Sequence, residues 1–403
     1  MYLPRTIEKT IPQLSNQFKV VMVSGMRQVG KSTVLSRLAE PTRRCLALDD
    51  PELRQKATDS VVGFFKENPL PIFIDEIQLV PSLFQGVKHE VDKHTEKGLV
   101  WLSGSQRFSL MKGVGDSLAG RIYDQQLLPL SIYERQRLGL SQEPYLPSTD
   151  VRTNLSQLST PDLWQMIWQG GWPDVINLDS RLRERYFRSF LDTFIDKDVK
   201  LTNNVDNTTA FDTFLRILAL RTGQEFRLGK TAVEVGVNEQ TIKRWLSVAK
   251  ASGLIYMLPP YFTNSSKTLV KSPKVYFTDT GLAAYLCNLS TPQELQKLNG
   301  GAFFETFVIT EILKSWIHNG YIPDVYFYRD ARSQNEIDLL IHRNGVYYPI
   351  EIKTSNTPTR SMARHFADLE KLGLTAGQGA VICDCERPRY LSDTVVAHSI
   401  WNL

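Results

Sequence analysis

The chain has 403 residues, of which 42% are hydrophobic and 22% are charged, and its formal net charge is +4. This length exceeds one ordinary hydrophobic core, so we expect two to four domains. The charge excess is small, so any contact with nucleic acid must come from a local basic patch. No apolar stretch reaches the length of a membrane span or of a secretory signal, so we expect a cytoplasmic protein without a membrane partner. The four cysteines are scattered, which predicts neither a disulfide framework nor a zinc site.

A phosphate-binding pattern stands close to the amino terminus. It matches G-x-x-x-x-G-K-[ST] and is followed by Thr33; its residues are Gly25, Met26, Arg27, Gln28, Val29, Gly30, Lys31 and Ser32. An apolar stretch at 18–23 precedes it and a helix-forming stretch follows, which is the strand, turn and helix order that the pattern requires. The backbone N–H groups would surround the phosphates of ATP, Lys31 would reach the β and γ phosphates, and Ser32 would ligate Mg²⁺.

Two later strands are predicted to complete this site, after a short buried strand at 44–48. The apolar run at 71–74 ends in Asp75, which would hold Mg²⁺, and Glu76, which would orient and deprotonate the attacking water. A further strand at 99–102 ends near Ser105 and Gln106. Either side chain could lie between the phosphates and the carboxylates and contact the γ-phosphate, or the segment could be a plain Gly-Ser turn.

Arg121 is a candidate for a contact between subunits. It follows the segment at 117–120 and precedes a predicted strand. An arginine at such a place can reach the γ-phosphate of a neighbouring subunit and stabilise transition-state charge, which would require a homo-oligomeric ring or dimer. The alternative is a surface salt bridge.

These motifs together resemble the AAA+ ATPases of a large bacterial and archaeal family. The resemblance spans nearly the whole chain and includes Leu-Pro-Leu-Ser at 128–131. It implies an α/β fold, in which a P-loop ATPase core with a parallel sheet is followed by a helical region, a winged helix and an α/β domain of the restriction-endonuclease type. We place the four parts at 1–135, 136–210, 211–290 and 291–403.

The second part begins with a connector rich in Ser, Thr, Gln, Asn and Pro at 136–161. Trp164, Trp168 and Trp172 then recur every four residues, a spacing typical of one helix face that packs in a core or between domains. The charged and aromatic residues at 181–200 predict a long amphipathic helix.

The third part has the element order of a winged helix-turn-helix. Helices are predicted at 211–222, 229–235 and 239–251, and a strand pair begins at 254. From 227 to 274 there are eight Lys or Arg against two Glu, a local charge of +6. The best candidates for DNA contacts are on the third helix and on the wing: Gln240, Lys243, Arg244, Lys267 and Lys271. The alternative is a module that only packs against its neighbours.

The last part carries a second set of acidic residues. Glu305 lies in a predicted helix at 303–311, Asp338 in a strand at 335–341, and Glu351 and Lys353 in a strand at 348–353. Three carboxylates meeting at one point would hold Mg²⁺ or Mn²⁺, and the lysine could orient or deprotonate water. By resemblance, these four residues map onto the PD-(D/E)XK nucleases. The helix after Lys353 lacks the Gln-x-x-x-Tyr motif of related exonucleases, which leaves open an endonuclease, a structure-selective binder or a relic.

Two functions fit the sequence. The first is an ATPase that hydrolyses ATP to remodel or process DNA and that binds DNA through the winged helix. The second is an ATP-controlled switch that holds a protein or nucleic-acid partner without cutting it. A small-molecule kinase fits poorly, because adjacent Asp75 and Glu76 are typical of hydrolysis and no lid for an acceptor substrate is evident.

Overall fold

The computed structural model describes residues 2–105, 118, 120–200, 207–261, 272–330 and 335–403. Within these ranges it contains a five-stranded, a three-stranded and a six-stranded sheet. None of the described helices combines the length and the apolar character that a bilayer span requires. Gln106, Lys267 and Lys271 lie outside the described residues.

The first sheet is parallel throughout and has the order β2-β3-β4-β1-β5. Its strands are β1 (Val20–Ser24), β2 (Arg44–Ala47), β3 (Ile72–Asp75), β4 (Val100–Gly104) and β5 (Ile122–Gln126). Because β4 lies between β1 and β3, the carboxyl ends of these strands meet at one edge of the sheet. Strand β2 is an edge strand, so the strand predicted at 44–48 is present at Arg44–Ala47, but its predicted burial is wrong because three of its four residues are exposed. Leu48, which follows it, is buried.

Helices cover both faces of this sheet. They are α1 (Ile7–Ser15), α2 (Lys31–Leu38), α3 (Pro51–Asp59), α4 (Val61–Glu67) and α5 (Leu83–Asp92), and α6 (Ile132–Arg135) follows the sheet. Val21 and Val23 of β1 belong to one apolar cluster, whereas Val20 and Met22 belong to another. Alternate side chains of a strand point to opposite faces, so the continuous apolar run of β1 is explained by a sheet that is buried on both sides.

Two helices follow an irregular connector. They are α7 (Thr160–Gln169) and α8 (Ser180–Thr193), which continues as a π-helical turn over Phe194–Lys200. The indole rings of Trp164, Trp168 and Trp172 are at most 5% exposed. Their spacing therefore reflects packing in the core.

A compact set of helices and strands comes next. It comprises α9 (Thr208–Leu220), β6 (Gln224–Glu225), α10 (Leu228–Val235), α11 (Glu239–Ala251), β7 (Ile255–Leu258), β8 (Lys274–Phe277) and α12 (Thr280–Leu286). The strands pair antiparallel in the order β6-β8-β7. Gly236 ends α10 in the left-handed conformation, and the Asn238 side chain accepts a hydrogen bond from the Thr241 backbone N–H at the start of α11.

The carboxyl-terminal sheet is mixed and has the order β13-β14-β12-β11-β10-β9. Its strands are β9 (Val325–Arg329), β10 (Glu336–Arg343), β11 (Val346–Lys353), β12 (Gly379–Cys383), β13 (Arg389–Tyr390) and β14 (Val395–His398). Two helices belong to the same part of the chain: α13 (Pro292–Ile317), which is kinked at Asn299, and α14 (Asp368–Lys371). Strands β9, β10 and β11 are antiparallel, whereas β11, β12 and β14 are parallel.

Helix α13 joins the carboxyl-terminal sheet to the first one. The Glu311 carboxylate accepts a hydrogen bond from the Ile132 backbone N–H at 2.8 Å, and the Lys314 ammonium donates to the Leu130 carbonyl at 3.1 Å. Glu311 and Lys314 also pair with each other at 2.6 Å and are almost fully buried. The segment that ends in Leu-Pro-Leu-Ser is thus a docking site for α13.

Candidate functional site

The P-loop connects β1 to α2 at the carboxyl edge of the first sheet. Gly25 passes so close to the Leu127 carbonyl that a Cβ atom would collide with it, and Gly30 has a φ of +94°. Both positions therefore favour glycine. The Lys31 ammonium donates a hydrogen bond to the Met26 carbonyl at 2.8 Å, so the lysine lies across the loop.

Asp75 at the end of β3 reaches the start of α2. Its Oδ1 accepts a hydrogen bond from the Ser32 hydroxyl at 2.9 Å, from the Glu76 backbone N–H at 3.1 Å, and from the Ser103 hydroxyl. A hydroxyl and a carboxylate side by side are the oxygen ligands that Mg²⁺ takes in P-loop proteins, so Ser32 and Asp75 fit that ion together with nucleotide phosphates. Ser103 was missed by the sequence reasoning, although it follows β-strand residues at the same edge.

Glu76 has an unusual backbone conformation for a residue other than glycine. Its φ and ψ are +53° and +44°, and such strain in natural proteins gathers at functional sites. Its carboxylate accepts hydrogen bonds from the Gln78 amide and from the Ser105 hydroxyl, the latter at 3.4 Å. The structure thus brings Ser105 to Glu76, and it adds Gln78, which the sequence reasoning missed.

A cavity of about 660 Å³ adjoins the end of the P-loop. Its walls come from the amino terminus, α2 and the turn after α7, and include Tyr2, Arg5, Gly30, Thr33 and Pro173. Because the walls of this cavity come from distant segments of the chain, no sequence pattern predicted it.

The rear of the P-loop is held by buried donors from other parts of the chain. The Arg5 guanidinium donates to the Val29 carbonyl at 2.7 Å, and the Trp172 indole N–H donates to the Arg27 carbonyl at 3.0 Å. Arg5 also pairs with the fully buried Glu134 at 3.0 Å. Burial opposes the charge of Glu134, but Arg5 and His318 more than offset this and lower its pKa. The P-loop is therefore braced by the amino-terminal segment and by the turn after α7.

Arg121 lies at the amino end of β5, at the edge of the sheet opposite to the P-loop. Its guanidinium contacts the Asp92 carboxylate at 2.5 and 3.1 Å, and both side chains are about a third exposed. Within one chain the structure therefore shows the surface salt bridge, and a role in a neighbouring subunit remains a prediction.

A second cleft, of about 760 Å³, lies between the three-stranded and six-stranded sheets. Its lining also includes Glu225, Lys230 and three arginines, and we define the acidic cleft by four of its carboxylates and two of its lysines: Glu305, Glu336, Asp338, Glu351, Lys274 and Lys353. The Lys353 ammonium lies 2.5 Å from Glu351 and 3.5 Å from Asp338. The Lys274 ammonium lies 3.0 Å from Glu305 and 2.6 Å from Glu336. The structure thus brings together all four residues that the sequence reasoning assigned to this site, and it adds Glu336 and Lys274.

Burial and neighbouring carboxylates shift the pKa of two residues in this cleft. Burial, followed by the charges of Glu305 and Glu351, raises the pKa of Asp338 to about 8. Burial also raises the pKa of Glu351, although Lys353 opposes the effect. Removing water and adding like charges both disfavour an ionised carboxylate. The lysines therefore do not fully offset the effect of burial and of like charges on Asp338 and Glu351.

The carboxylates of the acidic cleft do not fit a metal ion as they stand. No group of three or more His, Cys, Asp or Glu residues that could hold one occurs in the part of the chain that the structure describes. Glu305 accepts hydrogen bonds from Lys274 at 3.0 Å and from the Tyr276 hydroxyl at 2.5 Å. The predicted Mg²⁺ or Mn²⁺ site at Glu305, Asp338 and Glu351 is thus without support from this geometry.

The candidate DNA contacts differ in exposure. Gln240, Lys243 and Arg244 are exposed on α11, as a contact with nucleic acid requires. Lys274, which we counted in the basic patch, is only 4% exposed and faces the acidic cleft. The prediction that Lys274 belongs to a phosphate-binding surface is therefore wrong, because its charge is already paired with Glu305 and Glu336.

Comparison with protein-family models divides the chain into three matched segments. Residues 17–136 match a model described as an AAA domain. Residues 160–293 and 300–403 match two models that each describe a domain of unknown function. The winged helix and the nuclease-like domain stay predictions.

Several proteins are similar over most of the chain. The uncharacterised protein Rv2008c of Mycobacterium tuberculosis is 27% identical over 383 residues, which cover 94% of this chain and 79% of that protein. An uncharacterised protein of Haemophilus influenzae is 22% identical, with 90% and 91% covered. Among solved structures, the Walker-type ATPase of Pyrococcus abyssi is 15% identical with a TM-score of 0.45, covering 70% of this chain and 94% of its own. The RuvB Holliday junction branch migration motor of Thermotoga maritima is 14% identical with a TM-score of 0.29, covering 64% and 90%. The AAA match and the P-loop geometry agree, and residues 17–136 therefore form an AAA-type P-loop domain.

Proposed function

We propose that the chain is an AAA+ protein that hydrolyses ATP in order to bind and remodel or process DNA. The observation that carries the proposal is the hydrogen bond of 2.9 Å between Ser32 and Asp75, next to the strained Glu76. These three side chains combine a hydroxyl and a carboxylate for Mg²⁺ with a second carboxylate for water.

The roles of the P-loop residues follow from their positions. With Mg²⁺–ATP bound, the ion would stabilise the negative charge that develops on the γ-phosphate. Lys31 would exchange the Met26 carbonyl for phosphate oxygens, and the backbone N–H groups at the start of α2 would face the phosphates. The base and ribose would occupy the cavity beside Gly30 and Thr33.

Glu76 would act on water, and its neighbours would position it. Gln78 and Ser105 both donate to its carboxylate, so they fix its direction and respond to any change at the γ-phosphate. Exchange of these donors between Glu76 and phosphate would link nucleotide state to catalysis. Arg121 would contribute only in a homo-oligomer, from the neighbouring subunit.

The DNA part of the proposal is supported by the exposed face of α11. Gln240, Lys243 and Arg244 lie on the helix that follows the turn at Gly236. Lysine and arginine side chains bind DNA phosphates, and a glutamine can reach base edges.

A second candidate is an ATP-controlled switch that binds its partner without cutting it. The contact between Lys274 and Glu305 favours this candidate, because the ammonium lies among the carboxylates that a metal-dependent nuclease would need.

The test is phosphate release by the full chain with Mg²⁺–ATP, measured without DNA and with single-stranded, duplex and branched DNA. Stimulation by one DNA structure supports the first candidate. Unchanged rates with every DNA, together with no DNA binding at low salt, would leave only the switch. Glu76→Gln should bind ATP without hydrolysing it, whereas Glu67→Gln at the exposed end of α4 is the matched control. Hydrolysis by Glu76→Gln at the normal rate would refute the assigned site.

A further inference from the structure

Lys274 is a buried lysine at the start of β8 whose partners lie in another part of the fold. Its side chain is 5% exposed, and its ammonium contacts Glu305 of α13 at 3.0 Å and Glu336 of β10 at 2.6 Å. Residues two apart on a strand share a face. Tyr276 accordingly reaches the same Glu305 at 2.5 Å. One face of β8 therefore closes on the acidic cleft.

The charge of Lys274 is maintained by these partners. Burial opposes the ammonium, but attraction by Glu305, Tyr276 and Glu336 outweighs it, and the pKa of Lys274 lies well above its usual value. A buried ion is tolerated only when it is paired and hydrogen-bonded. Strand β8 thus places the positive charge of Lys274 in the acidic cleft.

A second contact holds β8 and its neighbour in this position. The Arg329 guanidinium of β9 contacts Glu225 of β6 at 2.9 Å and Glu336 of β10 at 3.7 Å. Arg329 thus lies between the two sheets, beside the pair of Glu336 and Lys274. Closure of the cleft therefore rests on contacts from both β6 and β8.

The cleft still has acceptor capacity that the lysines do not satisfy. Glu351 is 7% exposed, and its Oε2 atom is buried without a hydrogen-bond partner among the described residues. Such an oxygen is costly to bury unless a cation or donor reaches it. The ammonium of Lys353 contacts the other oxygen, Oε1.

We propose that Lys274 is a built-in counter-ion that excludes divalent cations from the acidic cleft while β8 is packed against it. The lysine supplies one positive charge between Glu305 and Glu336, where a cation bridging the carboxylates would otherwise lie. Electrostatic repulsion and occupied space both act against a second cation there. This inference rests on the acidic cleft of the proposed function, but it requires neither ATP hydrolysis nor DNA cleavage.

The experiment is a Mn²⁺ titration of the full chain without nucleotide. Binding is measured by calorimetry and by the electron paramagnetic resonance signal of free Mn²⁺. The wild type should bind Mn²⁺ weakly, and Lys274→Met should bind one ion at least about tenfold more tightly, since it removes a full charge at short range. Lys274→Arg keeps the charge and should stay weak. Lys230→Met changes a lysine that is 66% exposed at the rim and is the matched control. Asp75→Asn provides the blank for the P-loop site.

Equal Mn²⁺ affinity of the wild type and a folded Lys274→Met would overturn the proposal. Lys274→Gln keeps the test decisive if Lys274→Met does not fold, because its neutral amide removes the charge but can still donate hydrogen bonds to Glu305 and Glu336. This variant should bind Mn²⁺ more tightly than the wild type. Weaker or unchanged binding would show that Lys274 does not exclude the ion. Adding Asp338→Asn should abolish the gain, which assigns it to the cleft.

Discussion

In the P-loop site the carboxylates of Asp75 and Glu76 are held by hydroxyl and amide groups, whereas in the acidic cleft those of Glu305 and Glu351 are held by lysine ammonium groups. A hydroxyl orients a carboxylate and leaves its charge uncompensated, so the carboxylate can still attract a cation. An ammonium cancels that charge. The carboxylates of the P-loop site can therefore still bind a metal ion, whereas those of the acidic cleft are paired with lysines of the same chain.

The difference also concerns which parts of the chain supply the donors. Ser32, Ser103 and Ser105 lie on or beside the strands of the first sheet, as do the carboxylates they contact. Lys274 comes from a different sheet. The carboxylates of the P-loop site are therefore held by donors from one fold unit, whereas the charge balance of the acidic cleft depends on the packing of two.

Lys31→Ala should show how strongly the P-loop site depends on the ammonium group of this buried lysine. We expect ATP turnover to fall at least about 1000-fold, because the ammonium that stabilises charge on the phosphates is lost from a preorganised site. Phosphate release measures the effect. Lys56→Ala, which changes a lysine that is 57% exposed on α3, should retain the normal rate. Normal turnover in Lys31→Ala would place ATP elsewhere.

Asp338→Asn should remove a pH dependence that is peculiar to the acidic cleft. The unfolded carboxyl group loses its proton near pH 4, but burial and the charges of Glu305 and Glu351 raise the folded pKa to about 8. The folded state therefore binds the extra proton, and its stability falls as pH rises between these values. Asparagine cannot ionise, so the variant should gain about 3 kcal/mol on the wild type between about pH 5.5 and about pH 7.5.

Denaturant unfolding of both proteins at the two pH values measures this gain. A difference between Asp338→Asn and the wild type that stays constant with pH would mean that the acidic cleft does not retain the proton.

Ser103→Ala should have a smaller effect, at the P-loop site. The change removes one buried hydroxyl that donates to Asp75, which should cost about 1 kcal/mol of stability. Asp75 would also be less firmly directed at the ion, so more Mg²⁺ should be needed for half-maximal ATP turnover. Ser105→Ala, whose hydroxyl contacts Glu76 instead, should lower turnover without that change in Mg²⁺ requirement. Equal Mg²⁺ requirements in both variants would contradict the separate roles.

Local patterns predicted the parts of the structure that neighbouring residues determine. The P-loop could be read because its glycines and lysine must follow a strand and begin a helix. The strand predicted at 335–341 corresponds to β10, Glu336–Arg343. The AAA match confirms the prediction of an AAA-type P-loop domain.

Contacts between distant residues could not be predicted in this way. Lys274 was counted with the basic residues around it, because its pairing with Glu305 and Glu336 exists only after two sheets pack together. Ser103 and Gln78 were missed because the direction of each side chain depends on the end of β4 and on the strained turn at Glu76. The exposure of β2 likewise could not be predicted, because it depends on the position of β2 at the edge of the sheet. The residues at 44–48 alone do not determine that position.

Arg121→Ala concerns a charged pair outside both sites and should have the smallest effect in the isolated chain. Its partner Asp92 is exposed to a similar degree, and exposed ion pairs contribute little to stability because water and salt screen them. We expect no resolvable change in the free energy of unfolding, and Asp92→Asn should behave in the same way. ATP turnover separates the two interpretations of Arg121. If the arginine reaches the γ-phosphate of a neighbouring subunit, Arg121→Ala should lose turnover at least about 1000-fold at concentrations where the chain oligomerises, while Asp92→Asn should not. If turnover is normal in both variants at every concentration, the salt bridge is the whole role of Arg121.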